Sequence, residues 1–175
     1  MSKSSKSIDR RDFLKSMAAG GTVAITSLPV LGANMLPAPA SGCKFFTVPQ
    51  AALIESISER MVPADANPGG KAAGVVFYID GVLAGPFGKF YRKNYEEGLP
   101  MIDTASQKRF GGPFVSLPSQ QQTAILEDLG SPAAAASQKD FFGLLWRHVM
   151  EGYYGDPEHG GNRDGASWKM VGFEG

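Results

Sequence analysis

From residue 47 onward the apolar positions of the chain recur at helical spacing. Leu53, Ile54, Ile57 and Met61 fall on one helical face, and Pro63 stops the pattern. In front of them Thr47-Val48-Pro49-Gln50 has the form of a capping box, with Thr47 as N-cap and proline in the first turn. A loop over 65–70 precedes a second helix, predicted from Lys71 to Ala84, on which Ala72, Val75, Val76, Ile79, Val82 and Leu83 form a broad apolar face with Asp80 near its edge. Gly85-Pro86 closes it. Phe87, Phe90, Tyr91 and Tyr95 among charged residues suggest a short helix, and a separate helical stretch is expected from Ile102 to Phe110. Leu117-Pro118 introduces a helix over Ser119 to Leu129, with Ser116 as its expected cap. A last helix spans Ser137 to Gly152, where Phe141, Leu145, His148 and Gly152 share a stripe. No stretch alternates as a strand would. The fold class expected is mainly α, a small helical domain with a glycine-rich C-terminal loop.

Composition narrows what such a domain can do. The 175 residues suit a single core of ordinary size. The 17 basic and 17 acidic residues balance overall, which removes the electrostatic drive for binding a phosphate backbone, so nucleic acid is not an expected partner. One cysteine excludes an intrachain disulfide, a cysteine-based zinc site and an iron–sulfur cluster, and the haem-attachment motif is absent. No dinucleotide-binding glycine turn or phosphate-binding loop is present either, so no cofactor is expected in this chain.

The charge balance conceals two unlike parts. Residues 1–40 hold five of the 17 basic side chains and two of the 17 acidic ones, which makes that segment +3 and the remainder −3. Lys3, Lys6, Arg10, Arg11 and Lys15 precede a weakly apolar stretch from Met17 to Leu36 and small residues at Ala38 and Ala40, the layout of a secretory signal. Within it Arg10, Arg11, Phe13 and Leu14, followed by Lys15, resemble the twin-arginine export signal, with Asp9 where Ser or Thr is usual. The chain is thus expected to comprise a signal segment, 1–40, and a helical domain, 41–175. Cys43 reads as an unpaired thiol in a flexible linker, with a lipoprotein-type attachment site as the alternative. Twin-arginine export moves folded proteins, and a folded-protein signal on a chain without a cofactor motif suggests that it carries a cofactor-loaded partner.

The C-terminal block departs from generic helical texture. Asp156, Pro157, Glu158, His159, Gly160, Gly161, Asn162, Arg163, Asp164 and Gly165 are followed by Trp168 and Phe173. Glycine, asparagine and aspartate tolerate left-handed backbone and form tight turns, so the block is an ordinary turn, a recognition loop or an active-site loop. In the catalytic reading His148 or His159 pairs with Asp156 or Asp164 for proton transfer. Against it, His148 lies on an apolar stripe, where a hydrogen-bonded core histidine is the commoner outcome. Asp156, Glu158, His159, Asn162 and Asp164 offer cation ligands, but their spacing fits no EF-hand or H-E-x-x-H pattern.

Several segments together carry a resemblance. Pro63-Ala64-Asp65, Pro68-Gly69, Ala73-Gly74-Val75, Ile79-Asp80, Leu83 to Gly88, Asp156-Pro157, Gly160-Gly161-Asn162-Arg163-Asp164 and Trp168 to Phe173 resemble the gluconate 2-dehydrogenase subunit 3 family. The resemblance implies a small, non-catalytic accessory subunit of a membrane-associated dehydrogenase. In such a complex a large subunit binds FAD and oxidises a sugar or sugar acid, and a multihaem cytochrome c subunit, carrying haem c, passes electrons towards quinone. The small subunit brings the twin-arginine signal, engages the translocase, supports export and maturation of the FAD subunit, and resides in the periplasm. The partner-binding residues expected are Asp156, His159, Gly160, Gly161, Asn162, Arg163, Asp164 and Trp168, with Arg163 as charged anchor. The competing readings are a stand-alone exported interaction or structural protein, and an independent enzyme built on His159 and Asp164.

Overall fold

The computed structural model describes residues 42–173; the expected export signal, including Arg10, Arg11, Phe13 and Leu14, lies outside them. The described residues form six α-helices, α1 (Val48–Met61), α2 (Val75–Ala84), α3 (Arg92–Phe110), α4 (Ser119–Gly130), α5 (Ala136–Tyr154) and α6 (Ala166–Val171), with short 3-10 turns between them and no strand. The mainly helical expectation is met. No described helix is long and apolar enough to cross a membrane.

Helix α5 is the hub, packing against all five others, most extensively against α2 and α4. Its buried Phe141, Leu145, Val149 and Tyr153 meet Val76, Ile79 and Leu83 of α2, Ile54 and Ile57 of α1, Leu99 and Ile102 of α3, and Ile125 and Leu129 of α4 in one continuous core. These are the residues at helical spacing in the sequence, and their removal from water supplies the main drive for assembly.

Helix boundaries differ from expectation where the chain geometry intervenes. Helix α2 begins at Val75, not Lys71, because Gly74 adopts φ 74° and Lys71–Gly74 forms a turn bonded back to Gly69 and Gly70. The two short helices expected between 87 and 110 are one helix, α3, which runs through Pro100. A proline inside a helix costs roughly 3 kcal/mol. Here it sits on the exposed side, and Tyr95, Leu99 and Ile102, all buried, hold the helix together on both flanks. Ser116 is not a cap. It belongs to a 3-10 turn, and the extended backbone of Leu117 and Pro118, the usual conformation around proline, places the start of α4 at Ser119. At α1 the backbone N–H of Thr47 donates to Gln50 Oε1 at 3.0 Å, the predicted half of the capping box.

The largest departure concerns Asp80. Predicted at the edge of the apolar face of α2, it is 2% exposed. Its carboxylate accepts the backbone N–H groups of Lys44, Phe45 and Phe46 at 2.6, 2.9 and 2.8 Å. A buried charge is tolerated only when it is well bonded, and three donors provide that. The segment before α1 is thereby drawn into the body: Phe46 is fully buried and Cys43 joins the core. Cys43 is not in a flexible linker, and a lipid on its buried sulfur would have to leave the core. Burial, reinforced by the charge and hydrogen bond of Asp80, pushes its thiol up to about 11.

Candidate interaction loop

After α5 ends at Tyr154, the chain folds back over the N-terminal end of α2. Asp156 caps the 3-10 turn Pro157–His159 by accepting the N–H of Glu158 at 2.9 Å. Gly161 then lies so close to the carbonyl of Gly152 that a Cβ would collide with it, which is why no larger residue fits. The next N–H, of Asn162, donates to that same Gly152 carbonyl at 2.8 Å.

Asn162 is the staple of the loop. It is fully buried, in left-handed backbone at φ 44°, a conformation that asparagine tolerates better than most residues. Its Nδ2 donates to the Gly155 carbonyl and its Oδ1 accepts the N–H of Ser167, each at 2.9 Å, closing the loop across its neck. Arg163 N–H donates to the Ala73 carbonyl at 2.9 Å and ties the loop to the turn before α2. Trp168, half-buried, donates its indole N–H to the Tyr154 carbonyl at 3.0 Å and packs edge-to-face on Phe173 with ring centres 5.0 Å apart. One polar atom is left over: Ser167 Oγ is buried without a partner.

The expected partner-binding residues therefore divide. Gly161 and Asn162 are buried and Trp168 is committed to internal bonds, so they shape the loop. Asp156, His159, Gly160, Arg163 and Asp164 are exposed on its outer side. The Arg163 guanidinium lies over the ring of Phe77 on α2, 5.5 Å from its centre, in a cation–π arrangement beside Gly74.

The two histidines have different fates. His148 is 2% exposed, its Nδ1 2.9 Å from the Tyr95 hydroxyl, stacked on that ring and edge-on to Tyr91. Burial lowers its pKa below the ordinary histidine value and outweighs the nearby Glu151 carboxylate, which acts the other way; Arg147 adds to the lowering. It is the hydrogen-bonded core histidine the stripe suggested. His159 stands on the loop surface, so the two do not share a site. Among the described residues no three His, Cys, Asp or Glu side chains gather to hold a metal ion. The Asn162 amide, one of the candidate cation ligands, is spent inside the loop.

Beside the loop is a feature the sequence did not single out. Tyr78, Gly81, Val82, Gly85, Pro86 and Phe87 of α2 and its C-terminal turn, with His159, line an open and largely apolar recess of about 520 Å³. The Tyr78 hydroxyl donates to Glu151 Oε2 at 3.0 Å, and burial together with that carboxylate raises its pKa to about 12.

All of these elements except the Asp80-bound segment and the first residue of α1 fall within a match to the family model described as Gluconate 2-dehydrogenase subunit 3, over residues 49–175. The chain belongs to that family. No curated protein and no solved structure matches it. Membership in the gluconate 2-dehydrogenase subunit 3 family makes the chain an accessory subunit type of a dehydrogenase, part of an oxidoreductase complex. The loop from Asp156 to Trp168 and the recess along α2 both lie inside the matched span, so they belong to the family domain and not to an appended segment.

Proposed function

We propose that this chain is the non-catalytic small subunit of a membrane-associated, FAD-dependent dehydrogenase. It binds the folded flavoprotein subunit, stabilises it, and brings it to the twin-arginine translocase through Arg10 and Arg11. The assembled complex works in the periplasm, where a multihaem cytochrome c subunit receives the electrons. The observation that carries the reading is the loop: Asn162 holds its neck from inside while Arg163, His159 and Asp164 are turned outward, a rigid presentation of side chains that suits recognition. Pre-ordering of that kind lowers the entropy lost when a partner docks.

The test is to express the chain with its flavoprotein partner and to fractionate the cells. Wild type is expected to place flavin-containing dehydrogenase activity in the periplasm, and the Arg10→Lys/Arg11→Lys pair to strand it in the cytoplasm. Periplasmic activity unchanged in the double variant would sink the carrier role. A colourless chain that purifies without a flavoprotein would favour a stand-alone exported protein.

A further inference from the structure

The turn between α2 and α3 holds apolar side chains in water in a defined pattern. Phe87 and Phe90 are 70% and 63% exposed, the two least covered large apolar side chains among the described residues. They stand three positions apart on the 3-10 turn Gly88–Phe90, where the Phe90 N–H donates to the Phe87 carbonyl at 3.1 Å. Positions i and i+3 eclipse in that geometry, so the two rings share one face. The turn is also fixed and cannot fold them away. A Cβ at buried Gly88 would collide with the Leu83 carbonyl, and Arg92 donates to the carbonyls of Leu83 and Ala84 at 2.7 and 3.3 Å.

Charge supplies the second half of the pattern. Lys89, Arg92 and Lys93 fall within five residues, and no Asp or Glu lies between the buried Asp80 and Glu96. The chain beyond residue 40 carries −3 as a whole, so this is a basic point on an acidic domain. Lys89 Nζ lies over the Phe90 ring, 5.1 Å from its centre. Lys93 makes one long contact, 3.7 Å, with Glu97 on the following turn of α3, both side chains largely in water. The exposed Asp156, Glu158 and Asp164 belong to the loop whose Gly160 packs on Phe77 and Tyr78, towards the start of α2, whereas this turn follows its end.

The residue types at the rim separate a lipid surface from a protein one. Protein interfaces concentrate arginine, tyrosine and tryptophan and are depleted of lysine. Here the arginine is spent on carbonyls inside the fold, and lysine stands beside the rings. Lysine keeps its ammonium at headgroup level while its stem and a neighbouring phenyl ring enter the acyl boundary. We propose that the turn from Gly85 to Lys93 is a peripheral membrane contact. Phe87 and Phe90 insert where headgroups meet acyl chains, and Lys89 and Lys93 meet the phosphates of anionic lipids. This contact goes beyond the subunit role and does not depend on it.

The test titrates the full chain with vesicles of phosphatidylglycerol and phosphatidylcholine in equal parts. A polarity-sensitive fluorophore is attached at Pro86→Cys, exposed beside Phe87, while buried Cys43 stays unlabelled. Its emission is expected to shift to the blue with these vesicles, and less with phosphatidylcholine alone or at high salt. The same label at Trp146→Cys, in the cleft lined by Met61, Leu126 and Phe142, is expected not to shift. The pair Phe87→Ser/Phe90→Ser is expected to lower vesicle affinity at least about tenfold with an unchanged thermal midpoint, since both rings are already in water. Lys89→Gln is expected to lower it about fivefold and to flatten its salt dependence. Residues 1–40 are present throughout. Vesicle binding that persists in the double serine variant and leaves the label at 86 in water therefore overturns the contact. So does a label shifted by the flavoprotein subunit and not by vesicles, an equal shift at position 146, or no binding to anionic vesicles at all.

Discussion

Two irregular segments of this molecule are pinned by the same device with opposite results. Residues 43–46 are held by the Asp80 carboxylate, and residues 155–167 by the Asn162 amide. A carboxylate only accepts, so it gathers a run of backbone N–H groups and pulls that run inward; Phe46 ends fully buried and Cys43 nearly so. An amide donates and accepts, so Asn162 joins the two ends of a loop and leaves the middle outside. The first segment is consumed in closing the core, whereas the second displays His159, Arg163 and Asp164. The contrast teaches that local polarity does not distinguish a structural polar residue from a functional one. Adjacent positions 162 and 163 have opposite fates, and the distinction lies in which way the backbone turns.

Replacing either pin would break the comparison most directly. Asp80→Ala leaves three N–H groups without their acceptor and is expected to cost about 4 kcal/mol in urea unfolding, with Asp80→Asn losing about half that. A change below about 1 kcal/mol would mean that the segment before α1 is not integral to the body. Asn162→Ala is expected to cost about 2 kcal/mol and to act locally: limited proteolysis should open the chain between 155 and 167 while the tertiary circular dichroism of the helical body persists.

Two measurements sharpen the contrast through ionisation. The native pKa of His148 is lowered, so the unfolded state binds the extra proton first. Its contribution to stability is present above about pH 6.5 and is lost as the pH falls through that value towards the lowered native one. His148→Gln should remove this slope above the carboxylate range, and His159→Gln, on the loop, should leave it intact; the reverse result would move the acid sensitivity from body to loop. Cys43, raised to about 11 by burial and Asp80, should resist iodoacetamide at neutral pH until the chain unfolds, and should become reactive in Asp80→Ala. The smallest effect is expected at Ser167, whose buried hydroxyl has no partner. Ser167→Ala should be neutral or stabilising, within about 0.5 kcal/mol, and a loss of more than about 1 kcal/mol would reveal a bonded water at the neck of the loop.

The helices were legible because their apolar residues repeat at 3.6-residue spacing whatever the neighbours do. The joins were less so. The separate helices expected around Tyr95 and from Ile102 are one helix that runs through Pro100, since burial of Leu99 and Ile102 offsets the local penalty of the proline. His148 was recognisable as a core histidine from its stripe; its hydroxyl partner Tyr95, on another helix, was not. At the site, the loop stood out by composition, but its division into an inner staple and an outer rim did not. The recess escaped notice because its principal marker, Gly81, is informative only when the space above it is known to be empty.

By itself the sequence determined the helical class, the family, the +3 charge of residues 1–40 set against a −3 remainder, and the loop that departs from generic texture, all properties of residue type and spacing along one chain. Only the tertiary structure decided that Asp80 closes the core at a distance of 34 to 36 residues, that Asn162 is buried and Arg163 exposed, and that an apolar recess lies along α2. The physical reason is that a polar side chain gains its role from the partner it reaches, and for Asp80 and Arg163 that partner belongs to another element of the fold.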